Sequence, residues 1–163
     1  MAAEPDAAAD LGRLFEGAPR FVERLLAGPP AASLAELLER AEQLALTMPE
    51  DEQVALLDAH PRIGAAPASV SALSYTEQGY DRDPGTAELQ ARLDRLNDAY
   101  EQRFGFRFVV FVAGRARAAM ADMLEQRLGA ERAGEKQRAL RDVIAIARDR
   151  AARLGSGLKV ARR

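Results

Sequence analysis

The only histidine of the chain, His60, stands directly before a proline, in the stretch Leu56-Leu57-Asp58-Ala59-His60-Pro61-Arg62-Ile63-Gly64. Imidazole is the one side chain whose ordinary pKa puts its charge change near neutral pH, so His60 can give and take a proton under ordinary conditions. A residue before proline is pushed out of the α region, so the apolar run Val54, Leu56, Leu57 should form a short helix that stops at His60. There the negative end of the peptide dipoles, and any nearby carboxylate, would favour the imidazolium form. The competing reading is a histidine that merely packs or caps a helix end. Other chemistries find little material. There is no cysteine, which removes thiolate nucleophiles and disulfides and, with a single histidine, makes a zinc site improbable. The lysines are Lys136 and Lys159, in segments that read as a solvated helix start and a tail, which argues against Schiff-base or pyridoxal chemistry.

Two further stretches could serve such a proton carrier. In Ser74-Tyr75-Thr76-Glu77-Gln78 the spacing of Ser74 and Glu77 is that of a capping box. The start of a capped helix also presents backbone N–H groups to an anion in front of it, so a structural and a ligand-binding role are compatible. The run Phe106 to Val112 is aromatic and β-branched, and propensity alone makes it a strand. No second convincing strand exists for it to pair with. It reads as a buried extended segment in a helical protein, whose backbone groups must find side chains, water or a ligand. That makes it a candidate binding wall.

The elements that must hold these stretches are helical. Leu11, Leu14 and Phe15 form a short amphipathic face, and Pro19 opens a second with Phe21, Val22, Leu25 and Leu26. Ser33 and Glu36 cap a helix whose apolar side is Leu34, Leu37, Leu38, Ala41, Leu44 and Ala45. Pro49 to Glu52 is an acidic first turn leading to His60. Leu89, Leu93, Leu96, Tyr100 and Phe104 make one stripe of a longer helix starting near Thr86 and ending at Gly105. Gly114 should start the next helix and Gly129 stop it. The last, from about Gly134 to Leu154, turns Leu140, Val143, Ile144 and Ala147 inward and arginines outward. The expected fold is all-α, a single-domain multi-helix bundle over residues 1–163 with one extended apolar segment at 106–112 and loose ends at 1–8 and 155–163. At 163 residues and 48% hydrophobic content, one core is sufficient. A net charge of −2 with both signs interspersed argues against nucleic-acid binding. No basic, apolar leader begins the chain and no window approaches the roughly 18 apolar residues of a membrane helix, so a soluble, unexported, cytoplasmic protein without membrane association is expected.

Taken in order, HP-x-x-G, S-x-x-E-Q, LN-x-x-Y-x-x-RFGF-x-F and IA-x-x-R resemble the OHCU decarboxylase family, which converts 2-oxo-4-hydroxy-4-carboxy-5-ureidoimidazoline to allantoin and carbon dioxide in urate breakdown. Each motif is weak; the ordered set, from His60 to Arg150, is specific. The resemblance implies that His60 is the catalytic histidine, that Pro61 beside it helps form the pocket, and that Glu77 is the carboxylate working with the histidine. It implies a substrate-binding segment of Ser74, Tyr75, Thr76, Glu77 and Gln78. It also implies ring contacts from the backbone of Phe108, Val109, Val110, Phe111 and Val112, and an arginine, Arg150, that joins Ser74 in holding the ligand. An all-helical, usually homodimeric carboxy-lyase with no metal and no organic cofactor is implied as well.

The sequence departs from that pattern at Arg107, where many relatives have proline, and at Arg62-Ile63, where Asp-Leu is frequent. The C-terminal Val-Ala-Arg-Arg lacks a peroxisomal ending, in keeping with a cytoplasmic protein. The alternative class is a non-catalytic helical module that binds a small molecule or a partner helix, with His60 and Glu77 as cap residues. It accounts for the helices but not for the order of the motifs.

Overall fold

The computed structural model describes residues 5–66, 70–80 and 85–155. The expected loose ends, 1–8 and 155–163 with Lys159, fall mostly outside them. Among the described residues there are eight helices and no strand: α1 (Pro5–Leu14), α2 (Pro19–Ala27), α3 (Leu34–Thr47), α4 (Glu50–Asp58), α5 (Ala72–Glu77), α6 (Ala87–Phe104), α7 (Arg117–Arg127) and α8 (Arg132–Leu154). The chain is all-α, as its periodicity implies. No described helix is long and apolar enough to cross a membrane.

Local chemistry accounts for most of the boundaries. Ser33 Oγ accepts from the Glu36 N–H at 3.1 Å, and Glu36 reaches back to the Ala32 N–H at 2.8 Å, so α3 opens on a reciprocal cap. Thr86 caps α6 through its Oγ1, which accepts from the Leu89 N–H at 3.1 Å, and Gly105 closes the helix at φ 78°, where a side chain would be strained. Two expected starts move. The cap of α5 is Ser71, whose Oγ accepts from the Ser74 N–H at 3.1 Å, and Ser74 lies inside the helix. Spacing cannot tell which serine sits where extended backbone turns into helix. α7 begins at Arg117, because Ala113 (φ 52°) and Gly114 (φ 75°) are left-handed and cannot start a right-handed helix.

The chain forms two compact units, Met1–Ala59 with Leu140–Arg163, and His60–Ala139. In the first, α2 packs on α1, α3 and α4. Its buried residues include Leu11, Leu14, Phe15, Phe21, Leu25, Leu38, Ala41, Leu56 and Leu57, and from α8 Leu140, Val143, Ile144 and Ala147. Phe15 meets Phe21 edge-on, with ring centroids 4.9 Å apart. Arg24 of α2 forks onto Glu52 of α4, and the amide of Gln53 donates to the Ala45 carbonyl at 2.9 Å.

In the second unit α6 packs on α7, bridged by Arg92 to Asp122 at 2.8 Å and to Glu125 at 3.1 Å. Phe106 to Val112 follows Gly105 outside any helix or strand, with Phe106, Phe108, Val109, Val110 and Val112 buried. Tyr100 lies against Phe104, Phe106 and Phe108 at 4.6–5.9 Å between ring centroids. Its hydroxyl donates to the fully buried Glu135 at 2.7 Å. Burial first, and that hydrogen bond second, push the Tyr100 hydroxyl far above its ordinary pKa, so it remains a donor. Arg138 closes the network, with Nη2 2.7 Å from Glu135 Oε1 and 3.1 Å from the Val109 carbonyl, its guanidinium 5.4 Å from the Phe108 ring.

Truncating Arg138 leaves a buried carboxylate and a buried carbonyl short of donors. Arg138→Met, which keeps the aliphatic stem, is therefore expected to lower stability by about 2–4 kcal/mol in urea unfolding. Adding Glu135→Gln to that variant is expected to recover part of the loss. A stability within about 0.5 kcal/mol of the wild type would count against the network.

Candidate functional site

His60 is the first residue after the C-cap of α4, and only 8% of it is exposed. From His60 to Ala66 the chain forms no helix or strand, with one turn bond from the Ala65 N–H to the Arg62 carbonyl at 3.1 Å, and His60, Ile63 and Gly64 are buried. Side chains supply what a ladder would. The His60 carbonyl accepts from Arg107 Nη1 at 2.9 Å, that of Arg62 from Gln78 Nε2 at 3.1 Å, and that of Ile63 from Asn97 Nδ2 at 3.1 Å. The Gly64 carbonyl accepts from Gln90 Nε2 at 2.7 Å, and that of Ala65 from the Tyr80 hydroxyl. The Gly64 N–H donates to Gln78 Oε1 at 2.9 Å. A buried carbonyl left without a donor costs about 1–3 kcal/mol, so together these bonds hold the loop in one path.

The clamp joins the motifs that the sequence separates. Gln78 uses both ends of its amide on the His60 loop, which ties that loop to the end of α5. Arg107, the residue before Phe108, ties it to the head of the extended segment. Along α5, Ser74 is buried, Glu77 half-buried, and Tyr75 and Thr76 exposed; Tyr75 stacks on Tyr80 with centroids 5.1 Å apart. Pro61 is half-buried, as is Phe111. The wall's carbonyls also rely on arginines: Val109 on Arg138, Phe111 on Arg115 Nη2 at 2.5 Å and Val112 on Arg115 Nε at 2.9 Å. Arg150 belongs to the other unit, where it is 2% exposed and its Nη1 donates to the Leu14 carbonyl at 3.2 Å. No group of three or more histidine, aspartate or glutamate side chains among the described residues could hold a metal ion.

Sequence reasoning missed the residues that hold the loop from α6, Gln90 and Asn97. A signal existed for Asn97. It falls on the buried stripe Leu93, Asn97, Tyr100, Phe104, and a polar side chain at a core position must have found partners there. It also donates to the Leu93 carbonyl at 2.8 Å. Gln90, half-buried at the rim, carried no such signal.

The profile of the OHCU decarboxylase family matches residues 1–152. The chain is 29% identical over 136 residues to the 2-oxo-4-hydroxy-4-carboxy-5-ureidoimidazoline decarboxylase of Haloferax volcanii, a match covering 83% of this chain and 81% of that one. It is 32% identical over 146 residues to the uric acid degradation bifunctional protein PucL of Bacillus subtilis, covering 87% of this chain and 29% of that longer protein. A crystal structure of OHCU decarboxylase in the presence of (S)-allantoin has a TM-score of 0.68 to it at 23% identity, over 89% of this chain and 96% of that one, a likeness of fold.

Gly64 is where the clamp tolerates least. Its φ is +79°, and an added Cβ would stand 2.9 Å from Cδ1 of Leu93, itself 1% exposed and unable to swing away freely. Gly64→Ala is expected to destabilise by about 1–3 kcal/mol, from the left-handed backbone and the overlap together. Thermal or urea unfolding measures this, and an unchanged midpoint would show that the loop is looser than its bonds imply.

Proposed function

The chain belongs to the OHCU decarboxylase family and is a decarboxylase of urate degradation; on that premise we propose that it converts 2-oxo-4-hydroxy-4-carboxy-5-ureidoimidazoline to (S)-allantoin and carbon dioxide, with His60 as the proton carrier and Glu77 as the carboxylate that steers it. The observation that carries this reading is the clamp: the loop bearing the sole histidine is bonded both to Gln78 of the Ser74–Gln78 segment and to Arg107 at the head of the extended segment. Three motifs that the family pattern names thus meet at one backbone.

The chemistry explains why one titrating side chain is enough. The substrate's carboxylate sits on a carbon that also bears a hydroxyl, next to a ring C=N. When the carbon–carboxylate bond breaks, its electron pair passes toward that C=N, and carbon dioxide leaves. The ring nitrogen that receives the pair takes a proton from solvent, the hydroxyl gives up a proton as its carbon becomes a carbonyl, and the neighbouring carbon gains one, which creates the new stereocentre. The substrate is its own electron sink, so no cofactor is called for. The protein has to orient it, balance its charge and move a proton on one face.

In this scheme His60 takes the hydroxyl proton and returns a proton to the carbon, with Glu77 stabilising the imidazolium between the two events. Ser74 is assigned to a charged edge of the ligand, and Arg150 is carried over from the resemblance as a ligand-holding arginine whose planar fork suits a carboxylate or a ureido group. Pro61, Tyr75, Thr76 and Gln78 border the pocket, and the backbone of Phe108, Val109, Val110, Phe111 and Val112 reads the ring. Since Arg115 and Arg138 already occupy carbonyls of that stretch, the groups it offers a ligand would be its N–H groups and remaining lone pairs.

The test is His60→Asn, which keeps a polar group of similar size before Pro61. It is expected to stay folded yet lose about a hundredfold or more in (S)-allantoin formation from freshly generated substrate, and its pH profile should lose the limb of a group titrating near neutrality. Glu77→Gln is expected to lower activity with little change in melting temperature, because Ser71, and not a Ser74–Glu77 box, caps α5. A folded His60→Asn protein turning over at the wild-type rate would defeat the mechanism.

A further inference from the structure

The positions at which this sequence departs from the pattern it resembles, Arg62 and Arg107, converge on one carboxylate. Glu101 of α6 accepts from Arg62 through both oxygens, Nε at 3.1 Å on Oε1 and Nη2 on Oε2, and from Arg107 Nε at 3.3 Å. Arg62 Nη2 also lies 2.9 Å from Asp98 Oδ1. The second arm of the Arg107 fork, Nη1, is on the His60 carbonyl at 2.9 Å. The connections close a ring: His60, Pro61 and Arg62 through the chain, Arg62 to Glu101, Glu101 to Arg107, and Arg107 back to His60. The three charged side chains are about one-quarter to one-third exposed (Glu101 26%, Arg62 32%, Arg107 35%), so the ring is partly screened, and its effect is geometric more than energetic.

That geometry bears on the direction of the imidazole. The pyrrolidine ring of Pro61 fixes its own φ, and proline restricts the residue before it. Within the extended range of roughly 40° that proline leaves it, the ψ of His60 still turns the carbonyl relative to the Cα–Cβ bond. Holding the carbonyl on Arg107 removes that freedom. Arginine is suited to this because its rigid fork reaches a carbonyl and a carboxylate at once, whereas a lone long side chain would lose more rotamer entropy for a single bond.

We propose that Arg107 is a positioning residue for His60, and that Glu101 couples it to Arg62 so that the His60–Pro61 junction is held from both sides on α6. The proposal rests on the reading of His60 as the proton carrier. It assigns Arg62, Glu101 and Arg107 no contact with the substrate; they set where the imidazole points.

The sole histidine makes the test direct, since the imidazole NMR signals of protein labelled in histidine belong to His60 alone. Arg107→Met keeps the stem and removes the fork. It is expected to shift or broaden the His60 ring signals and lower kcat by about tenfold or more, while KM changes by less than about threefold. Arg107→Lys, which can still donate to the carbonyl, is expected to recover part of kcat. Glu101→Gln is expected to move the same signals less, and its effect should not add to that of Arg107→Met. If Arg107→Met fails to fold, Arg107→Lys and Glu101→Gln decide by the same readouts. Unmoved ring signals with wild-type kcat overturn the proposal, and so does a loss of kcat that follows the loss of stability without rescue by lysine. His60→Asn separates the failures: if it is inactive while the Arg107 variants behave as wild type, only the positioning role falls, and if it is fully active the catalytic reading falls first.

Discussion

A stretch of chain that is neither helix nor strand, yet is partly buried, must find a donor for each carbonyl it hides. His60 to Ala65 is such a stretch, and the carbonyls of His60, Arg62, Ile63, Gly64 and Ala65 each accept from a side chain of another segment. Much of the His60–Ala139 unit follows from that requirement. α6 places Gln90 and Asn97 two turns apart on the side facing the loop, α5 ends where Gln78 can reach it, and the extended segment begins with an arginine that turns back to it. Because a helix satisfies its own backbone, its side chains are left over for this purpose.

The same economy of donors explains how a strand-like sequence survives without a sheet. Phe106 and Phe108 pack on Tyr100, while Val109, Val110 and Val112 are buried, and the carbonyls of Val109, Phe111 and Val112 go to guanidinium groups, which carry several donors on a long stem. Arginine is in this respect a portable piece of ladder. One consequence is rigidity without regular structure, held by Arg138 and Glu135 in a buried network where a missing partner would be felt strongly.

For a reaction whose substrate supplies its own electron sink, such rigidity matters more than reactive groups. In the proposed mechanism the face on which a carbon is protonated would be decided by where the His60 imidazole stands relative to a held ligand, and a loop free to move would blur that choice. On the proposed reading, a proton carrier at the head of a backbone tied at five of its carbonyls would suit a stereospecific task in a chain with one histidine and no cysteine.

Much of this was legible in the residues. Apolar spacing marked the helices, Ser33, Thr86 and Gly105 marked ends that the structure keeps, and the lack of a partner strand marked Phe106 to Val112 as backbone outside any sheet in a helical protein. These are local properties, set by side-chain periodicity and by φ and ψ preferences within a few residues. The rest depends on distance through space. Nothing near Gln78 in sequence says that its amide holds Arg62 and Gly64, nor that Arg107 and Arg62, 45 positions apart by number, share Glu101. The choice of Ser71 over Ser74 as the cap was likewise made by the path of the chain. Sequence alone determined which residues could carry the chemistry and which segments would be helical; tertiary structure decided which donors reach which carbonyls, because a hydrogen bond depends on separations of a few tenths of an ångström that only the packed helices set.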